Sequence, residues 1–241
     1  MNATSLDDTL LKHFMTTFYG SGNYKGDYWF IGMEEGGGVD LDQVTKRIDT
    51  WSELGQNELV DICQFHLKIG FPEYFTNPVR LQKTWAQQVI ILLSSQGLPS
   101  STEDVRIYQR DEIGRISGDT CLLELLPLPS PSLNKWNYNS WSSLPFLKDR
   151  SVYRDYCIPW RTKHLQLRIM QHKPKVVVFM GQVYSTYWQT IAGQHLDFVD
   201  IGGFQADNFA GTLYVITKHP AAYGVTNAYF DEIGDFINCF L

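Results

Sequence analysis

Residues 175–180 read Lys-Val-Val-Val-Phe-Met and are followed at once by Gly181. An uninterrupted run of β-branched and aromatic residues is typical of a strand that is buried on both faces. Both faces of a strand are covered when helices cross over between parallel neighbours. This segment therefore predicts a parallel sheet, and similar apolar segments at residues 27–31, 121–126 and 212–217 supply its other strands.

Segments with apolar residues at helical spacing separate these four predicted strands. The predicted helices span residues 6–18, 40–51, 58–69, 80–95, 149–171, 182–191 and 227–240. We expect an interruption near Pro159 in the helix over residues 149–171. No internal repeat or low-complexity tract breaks the alternation of strands and helices. The predicted fold class is therefore α/β, with a four-stranded parallel sheet covered on both faces, in a single domain over residues 1–241.

The composition permits a packed core and limits the possible partners. Hydrophobic residues make up 44% of the chain and charged residues 19%, which is unlike a disordered protein. With 20 basic and 26 acidic residues the formal charge is −6, which argues against a generally basic nucleic-acid-binding surface but permits a local basic face. No apolar run approaches the roughly 18 residues of a membrane span, and the polar, acidic N-terminus is unlike a signal peptide. We therefore expect a cytoplasmic protein with no membrane partner.

Neither a metal nor another cofactor is expected. The chain lacks an H-E-x-x-H motif and any C-x-x-C pair, because its cysteines are widely spaced at Cys63, Cys121, Cys157 and Cys239. A zinc site or an iron–sulfur cluster is therefore not predicted. The G-x-S-x-G and G-x-x-x-x-G-K-[S/T] motifs of common hydrolases are also absent.

Chemically capable side chains follow the predicted strands. The carboxyl ends of parallel strands share one edge of a sheet, where α/β proteins bind their ligands. Glu34 and Glu35 follow the first strand, Glu124 lies in the second, and His219 follows the last. Glu34 and Glu35 are also compatible with capping a helix N-terminus, and His219 with a structural hydrogen bond. Glu124 is the strongest candidate, because a carboxylate inside an apolar strand needs a partner.

Four segments in order along residues 28–240 resemble the motifs of the uracil-DNA glycosylase superfamily. In that family the first strand is followed by G-x-[D/N]-P-[G/Y], a later strand ends in a base-reading Asn near a proline-containing loop, and the last strand precedes H-P-S-P. The corresponding segments here are Ile31-Gly32-Met33-Glu34-Glu35-Gly36, residues 122–127, residues 176–181 and His219-Pro220-Ala221-Ala222. The resemblance implies a three-layer α/β/α sandwich around a four-stranded parallel sheet, DNA as the partner, and removal of a flipped-out base.

The chain departs from the family at the positions that carry the chemistry. Glu34 stands where the family has Asp or Asn, and Glu35 replaces the usual Pro. We expect Glu34 to stabilise the oxocarbenium-like sugar and to position a water molecule, with Glu35 as the other candidate for this role. His219 is expected to donate a hydrogen bond to the departing base. These two catalytic residues predict a monofunctional glycosylase that leaves an abasic site.

The residue at the base-reading position predicts the substrate. Glu124 replaces the family's Asn, and a carboxylate accepts a hydrogen bond from the N4 amino group of cytosine. Because removal of ordinary cytosine would destroy the cell's own DNA, a modified cytosine is the consistent target. Met33 and Gly36 are expected to complete the base site, and Gly36-Gly37-Gly38 leaves room for a bulky substituent. Hypermodified cytosine in phage DNA would imply a role in anti-phage defence; base excision repair is the other role considered.

Several residues are candidates for contact with DNA. Tyr223 follows the His219 motif and is predicted to wedge into the gap that the flipped base leaves. Lys218 and part of residues 148–175, which contain eight basic and two acidic residues, are predicted to contact phosphates. The aromatic residue that stacks on the base is left open among Trp51, Tyr74 and Phe75.

Two other functions remain compatible with the sequence. One is a uracil or thymine-mismatch glycosylase that uses an unusual acid. The other is a catalytically silent module that binds DNA or a nucleotide in the same cleft, which the acidic net charge favours slightly.

Overall fold

The computed structural model describes residues 4–132 and 134–241, which form an α/β fold. Its helices and strands in chain order are α1 (Asp8–Thr17), β1 (Gly20–Gly22), β2 (Tyr28–Gly32), α2 (Leu41–Glu53), β3 (Leu59–Val60), α3 (Ile62–Ile69), α4 (Lys83–Ser95), α5 (Thr102–Asp111), β4 (Thr120–Glu124), α6 (Tyr138–Trp141), α7 (Arg150–His172), β5 (Val176–Met180), α8 (Ser185–Ala192), β6 (Val199–Asp200), β7 (Gln205–Phe209), β8 (Thr212–Thr217) and α9 (Asn227–Phe240). Within this part of the chain, no helix combines the length and the apolar character needed to cross a membrane.

The strands form one mixed sheet in the order β3-β1-β4-β2-β5-β8-β7-β6. Strands β4, β2, β5 and β8 are parallel to their neighbours in this series, whereas β1 pairs antiparallel with β4 and β7 pairs antiparallel with β8. The predicted α/β class is confirmed, but the prediction of a four-stranded, purely parallel sheet is wrong. The flanking strands escaped prediction because β1 is only Gly-Ser-Gly and both residues of β6 are exposed.

Alternate residues of the central strands pack on opposite faces of the sheet, as the period of a strand requires. In β2, Tyr28 and Phe30 join an apolar cluster with residues of α4 and α9. Trp29 and Ile31 join a second cluster with residues of α1, α2 and α7. Both faces of β2 are therefore buried, which explains its uninterrupted apolar sequence.

Two of the differences between the predicted and observed helices have a clear physical cause. The expected break near Pro159 does not occur, because α7 continues from Arg150 to His172 with this proline exposed on its surface. The carbonyl of Asp155, which loses its helical partner to the proline ring, lies in an exposed residue that water can reach. The helix predicted over residues 58–69 begins only at Ile62, since residues 59–60 form β3.

Arg161 of α7 is fully buried and lies with its guanidinium carbon 3.8 Å from the centre of the Tyr19 ring. It donates hydrogen bonds to four main-chain carbonyl oxygens, those of Leu125 at 2.6 Å, Met15 and Phe18 at 2.9 Å and Glu124 at 3.0 Å. Burial lowers the pKa of Arg161, although a guanidinium stays charged at neutral pH. One cation thus joins α7, the end of α1 and the end of β4.

Replacement of this cation tests its structural role. Arg161→Met is expected to lower the free energy of unfolding by about 3–5 kcal/mol, because four buried carbonyls lose their donor. Urea unfolding measures the change, with Lys163→Met on the exposed surface of the same helix as the control. A loss below about 1 kcal/mol for Arg161→Met would mean that the surrounding carbonyls find other donors.

Candidate active site

The carboxyl ends of β4, β2, β5 and β8 bring the predicted site residues to one edge of the sheet. Glu124 is the last residue of β4 and pairs in register with Gly32, the last residue of β2. Glu34 lies two residues beyond β2, and His219 lies two residues beyond β8. Since neighbouring strands are about 4.8 Å apart, β4 and β8 are separated by about 14 Å. The side chains that follow these strand ends therefore share one edge of the sheet.

Glu34 forms an ion pair with Arg150, the first residue of α7. Only 11% of the Glu34 side chain is exposed, and its Oε2 atom is buried without a hydrogen-bond partner. Burial raises the pKa of Glu34, and the neighbouring Arg150 and Arg154 oppose this shift. Arg150 also donates from Nη1 to the hydroxyl of Ser130 at 2.8 Å. The loop after β2 and the loop after β4 are thus fixed to the start of α7.

Glu35 faces a different pair of residues. Its carboxylate accepts a hydrogen bond from Arg47 of α2 at 2.7 Å and lies 3.8 Å from Nε2 of the buried His66. The Nδ1 atom of His66 is 2.9 Å from the carbonyl of Ile62, which assigns the Nδ1 proton to a neutral ring. Burial lowers the pKa of His66, with Glu35 acting against the shift. Glu35 therefore has a positively charged partner of its own, separate from that of Glu34.

Glu124 lies on the same face of the sheet as Leu122, Phe30 and helix α4. A Cβ atom added to Gly32 would lie 2.5 Å from its Oε2, so the carboxyl group packs directly on the glycine. This Oε2 is buried and has no hydrogen-bond partner. Burial raises the pKa of Glu124 well above its ordinary value, and the charges of Glu35 and Glu34 raise it further.

His219 presents a neutral ring with a defined tautomer. The main-chain N–H of Ala221 donates to its Nδ1 at 3.0 Å, which leaves the ring proton on Nε2. Partial burial and the nearby Lys83 both lower the pKa of His219. Its Cβ lies 3.8 Å from a Cβ placed on Gly181, so the ends of β5 and β8 are close together. The ring therefore offers an N–H donor from Nε2 near neutral pH.

The loop after β4 supports the loop after β2. Gly36 forms a parallel bridge with Ser130, and a side-chain carbon added at this exposed glycine would meet nothing within 4 Å. The side chain of Met33, by contrast, is buried in the cluster with α1, α2 and α7. Met33 thus lies on the opposite face of the sheet from Glu124, and only its main chain faces the strand ends.

The three candidate stacking residues differ in position. Trp51 is completely buried in the cluster on the face opposite Glu124. Phe75 and Tyr74 lie on the Glu124 face, where His66 is 5.8 Å from the Phe75 ring and 6.5 Å from the Tyr74 ring. Trp85 of α4, which the sequence analysis missed, lies 4.9 Å from the same histidine. The face of the sheet thus distinguishes Trp51 from the other rings, and among those Phe75 is itself buried whereas Tyr74 is half-buried.

The predicted DNA contacts also differ in what they face. Tyr223 is fully exposed in the loop after β8. The Nζ atom of Lys218 lies 5.1 Å from the centre of the Tyr229 ring. The pKa of Asp200 is lowered mainly by hydrogen bonds from the main-chain N–H groups of Gly203 and Gly202, and to a smaller extent by the charge of Lys218. Lys83, the first residue of α4, is an exposed cation beside His219 that the sequence analysis did not single out.

Residues 148–175 do not form a uniformly free basic surface. Five of the eight basic side chains have internal partners, since Arg150 pairs with Glu34, Arg168 with Glu58 and Lys175 with Asp27, Arg154 donates to the Tyr187 hydroxyl, and Arg161 is buried. The predicted phosphate contacts of this segment are therefore restricted to its other lysines and arginines.

Sequence reasoning also missed the arginines that bind the glutamates. In the sequence, Arg150 is one of the eight basic residues of the segment 148–175 and has no feature that links it to Glu34. Arg47 and His66 lie on helices with ordinary amphipathic patterns. No local motif links a helix residue to a carboxylate more than 100 positions away, as in the Arg150–Glu34 pair.

Other features of the described residues do not compete with this site. In residues 4–132 and 134–241, no group of three or more His, Cys, Asp or Glu side chains is arranged to hold a metal ion. A groove of about 1070 Å³ lies between the last turns of α7 and α8 and the segment before β6; its lining includes His195 and Asp197 but no Lys, Arg, Glu or Cys. The groove therefore lacks the paired glutamates and arginines found at the strand ends.

No protein-family model matches the chain, and no curated protein matches it significantly. The functional assignment therefore depends on the geometry of the strand ends.

The contact between Gly32 and Glu124 predicts an energetic coupling. Gly32→Ala is expected to destabilise the protein by about 1–3 kcal/mol, because the added methyl displaces the Glu124 carboxyl group. In a Glu124→Ala background the same change should cost little, and thermal unfolding of the four variants measures the difference. Gly36→Ala, which adds a methyl to open space, is the control. Additive effects of the Gly32 and Glu124 changes would contradict the contact.

Proposed function

We propose that this protein is a monofunctional DNA glycosylase that flips out a modified base, most simply a modified cytosine, and hydrolyses its N-glycosidic bond. The observation that carries the proposal is the convergence of Glu34, Glu124 and His219 at the carboxyl ends of neighbouring parallel strands. This arrangement matches the order of the motifs that resemble the uracil-DNA glycosylase superfamily. Removal of such a base would serve anti-phage defence or base excision repair.

The finer architecture that accompanies this proposal is a three-layer α/β/α sandwich, with β4, β2, β5 and β8 as the middle layer. It is supported by the two apolar clusters, which place α4 and α9 on one face of these strands and α1, α2 and α7 on the other. The flanking strands extend the sheet on both sides without covering either face.

Cleavage of the bond between C1′ and the base nitrogen develops positive charge on the sugar and negative charge on the base. In the proposed mechanism the Glu34 carboxylate lies below the sugar, stabilises the cation and accepts a proton from the attacking water. Oε1 of this carboxylate is bound to Arg150, whereas the buried Oε2 has no hydrogen-bond partner and is the atom that would accept the proton. Arg150 positions the carboxylate and opposes the effect of burial on its pKa.

His219 acts at the other side of the base. The neutral ring donates from Nε2 to the O2 atom of the base, whose negative charge grows as the glycosidic bond breaks. The hydrogen bond from Ala221 to Nδ1 fixes the tautomer that makes this donation available. Because burial and, to a lesser extent, Lys83 lower the pKa of His219, the ring acts as a neutral donor near pH 7.

Glu124 supports the choice of an amino-bearing base. Its carboxyl group lies across the sheet edge from His219 and is free of any cationic side-chain partner among the described residues. A carboxyl oxygen accepts a hydrogen bond from the N4 amino group of cytosine. The open space around Gly36 accommodates a substituent on the ring.

Contacts with DNA are proposed for the loop after β8 and the start of α4. Fully exposed Tyr223 inserts into the duplex where the base has left the stack. Lys83 joins Lys218 as a phosphate contact, since it lies beside His219 at a helix N-terminus, where the helix dipole also favours an anion. The acidic remainder of the protein limits nonspecific binding.

A base-excision assay tests the proposed function. The protein is incubated with duplexes that contain uracil, thymine opposite guanine, hypoxanthine, 5-hydroxymethylcytosine or glucosylated 5-hydroxymethylcytosine, and alkali-labile abasic sites are counted. We expect cleavage at a modified cytosine and little at uracil. Efficient removal of uracil with no action on either cytosine derivative would contradict the proposed substrate.

The role of Glu34 predicts a specific loss of catalysis. Glu34→Gln should keep DNA binding but reduce the single-turnover excision rate by about 100-fold or more, the scale of a lost general base and its charge. Glu35→Gln is the matched control, because Glu35 is paired with Arg47 instead. If Glu35→Gln alone abolished excision, the two residues would exchange roles.

The proposed insertion of Tyr223 into the duplex predicts a difference between double-stranded and single-stranded substrates. Tyr223→Ala should lower excision about 10-fold more strongly on double-stranded than on single-stranded DNA, because only the duplex has a gap to fill and stacking of one aromatic ring contributes about 1–3 kcal/mol. Tyr223→Phe is the control, since it retains the ring. Equal losses on both substrates would contradict the wedge.

One observation favours a second candidate function, a catalytically silent DNA- or nucleotide-binding module. Arg150 already occupies one oxygen of the carboxylate that the proposed mechanism needs. Binding of the modified duplexes without any abasic product, unchanged by Glu34→Gln, would support this alternative.

A further inference from the structure

The carboxyl group of Glu124 lacks the positive partner that each neighbouring glutamate has. Arg150 binds Glu34, and Arg47 binds Glu35. The buried Arg161 of α7 donates to main-chain carbonyls, including the carbonyl of Glu124 itself, and not to the carboxyl group. The site therefore contains three carboxyl groups and only two arginines bound to them.

The elements around Glu124 offer no other cation to its carboxyl group among the described residues. On α3, the Nδ1–H group of His66 donates to the carbonyl of Ile62, and the Nε2 atom of His66 lies closest to Glu35. From α4, Lys83 is exposed and lies beside His219 at the other end of the edge. Glu124 is half-buried with its Oε2 atom fully covered, so an ionised carboxylate would place an uncompensated charge on a buried oxygen near two negative neighbours.

We propose that Glu124 binds the flipped base as a neutral carboxylic acid and donates its proton to N3 of the cytosine ring. This inference rests on the proposed function, and it assigns a catalytic role to the residue that reads the base. A carboxylic acid has one O–H donor and one carbonyl acceptor, whereas a carboxylate has acceptors only. The neutral group therefore matches both the N3 acceptor and the N4 amino donor of cytosine, while a carboxylate would repel the N3 lone pair.

The proton makes the base a better leaving group. When the Glu124 O–H bond breaks and the proton moves to N3, the ring carries a positive charge. The C1′–N1 bond then breaks with its electron pair going to N1, and the base departs as neutral N3-protonated cytosine. Water adds to C1′ and gives its proton to Glu34, so that Glu124 ends as a carboxylate and Glu34 as an acid. Proton exchange with solvent restores the starting state.

The electrostatic surroundings agree with this role. Burial raises the pKa of Glu124 most, and the charges of Glu35 and Glu34 raise it further. The charge of Arg161 lowers the pKa by a smaller amount. The pKa of Glu124 in the folded state lies above its unfolded value of about 4.3. The contribution of this group to the free energy of unfolding is therefore fully present below that pH. This contribution is lost as the pH rises through the folded pKa.

Glu124→Gln separates base recognition from proton transfer, since the amide keeps one donor and one acceptor but has no acidic proton. On the modified-cytosine duplex that the wild type excises, we expect the variant to bind within about threefold of wild type, a difference below 1 kcal/mol. Its single-turnover rate should fall by about 100-fold or more, the scale of a lost general acid. The wild-type rate should decline as the pH rises through the Glu124 pKa, and the variant should lack this decline.

A second measurement tests the protonation state without relying on excision. Thermal unfolding of wild type and Glu124→Gln is followed from pH 4 to pH 9. The stability advantage of the variant should grow as the pH rises, because only the wild type has a buried acid to ionise; Glu34 is present in both proteins and cancels. A difference that does not change with pH overturns the neutral acid.

The outcomes distinguish the inference from the function on which it rests. If the wild type excises a modified cytosine and Glu124→Gln does so equally fast with the same pH profile, the proton-donor role is wrong and the glycosylase stands. If the wild type excises no base in the panel, the proposed function fails and the proton-donor role falls with it, whatever the stability measurement shows.

Discussion

The hydrogen bonds of buried Arg161 hold together the parts of the protein on which the candidate site depends. This guanidinium binds carbonyls at the end of α1 and at the junction where β4 becomes the proline-containing loop. A cation without a carboxylate partner is tolerated there because four carbonyl dipoles surround it and its face lies over the Tyr19 ring. The direction in which Glu124 leaves the sheet is therefore determined by α7, a helix that begins 26 positions later with Arg150.

The same helix supplies Arg150 to Glu34, so α7 fixes two of the three glutamates of the site. Arg150 acts on a side chain, whereas Arg161 acts on the main chain beside Glu124. This difference leaves the Glu34 carboxylate with a counterion and the Glu124 carboxyl group without one. Two acids at the ends of neighbouring strands thus have distinct environments, which is the arrangement by which enzymes obtain a base and an acid from the same residue type.

The sequence predicted those elements whose physical cause is local. Strand β8 and helix α9 have the predicted bounds, because an uninterrupted apolar run and a periodic amphipathic pattern are properties of the segment itself. The polar strand β7 was not predicted, since its half-exposed residues acquire strand structure by pairing with β8. Pro159 was expected to interrupt α7, but packing of the buried face keeps the helix continuous while the proline faces solvent.

The α/β class, the buried central strands and the glutamates and histidine at their ends are predictable from the order of residues alone. These features follow from the period of apolar residues and from where each run stops, which are local properties. The folded chain, in contrast, establishes which cation binds which glutamate, that Met33 and Trp51 face away from Glu124, and that Nε2 of His219 carries the proton. Those outcomes depend on contacts between residues far apart in the chain, and a carboxyl group takes its charge and its role from such contacts rather than from its position in a motif.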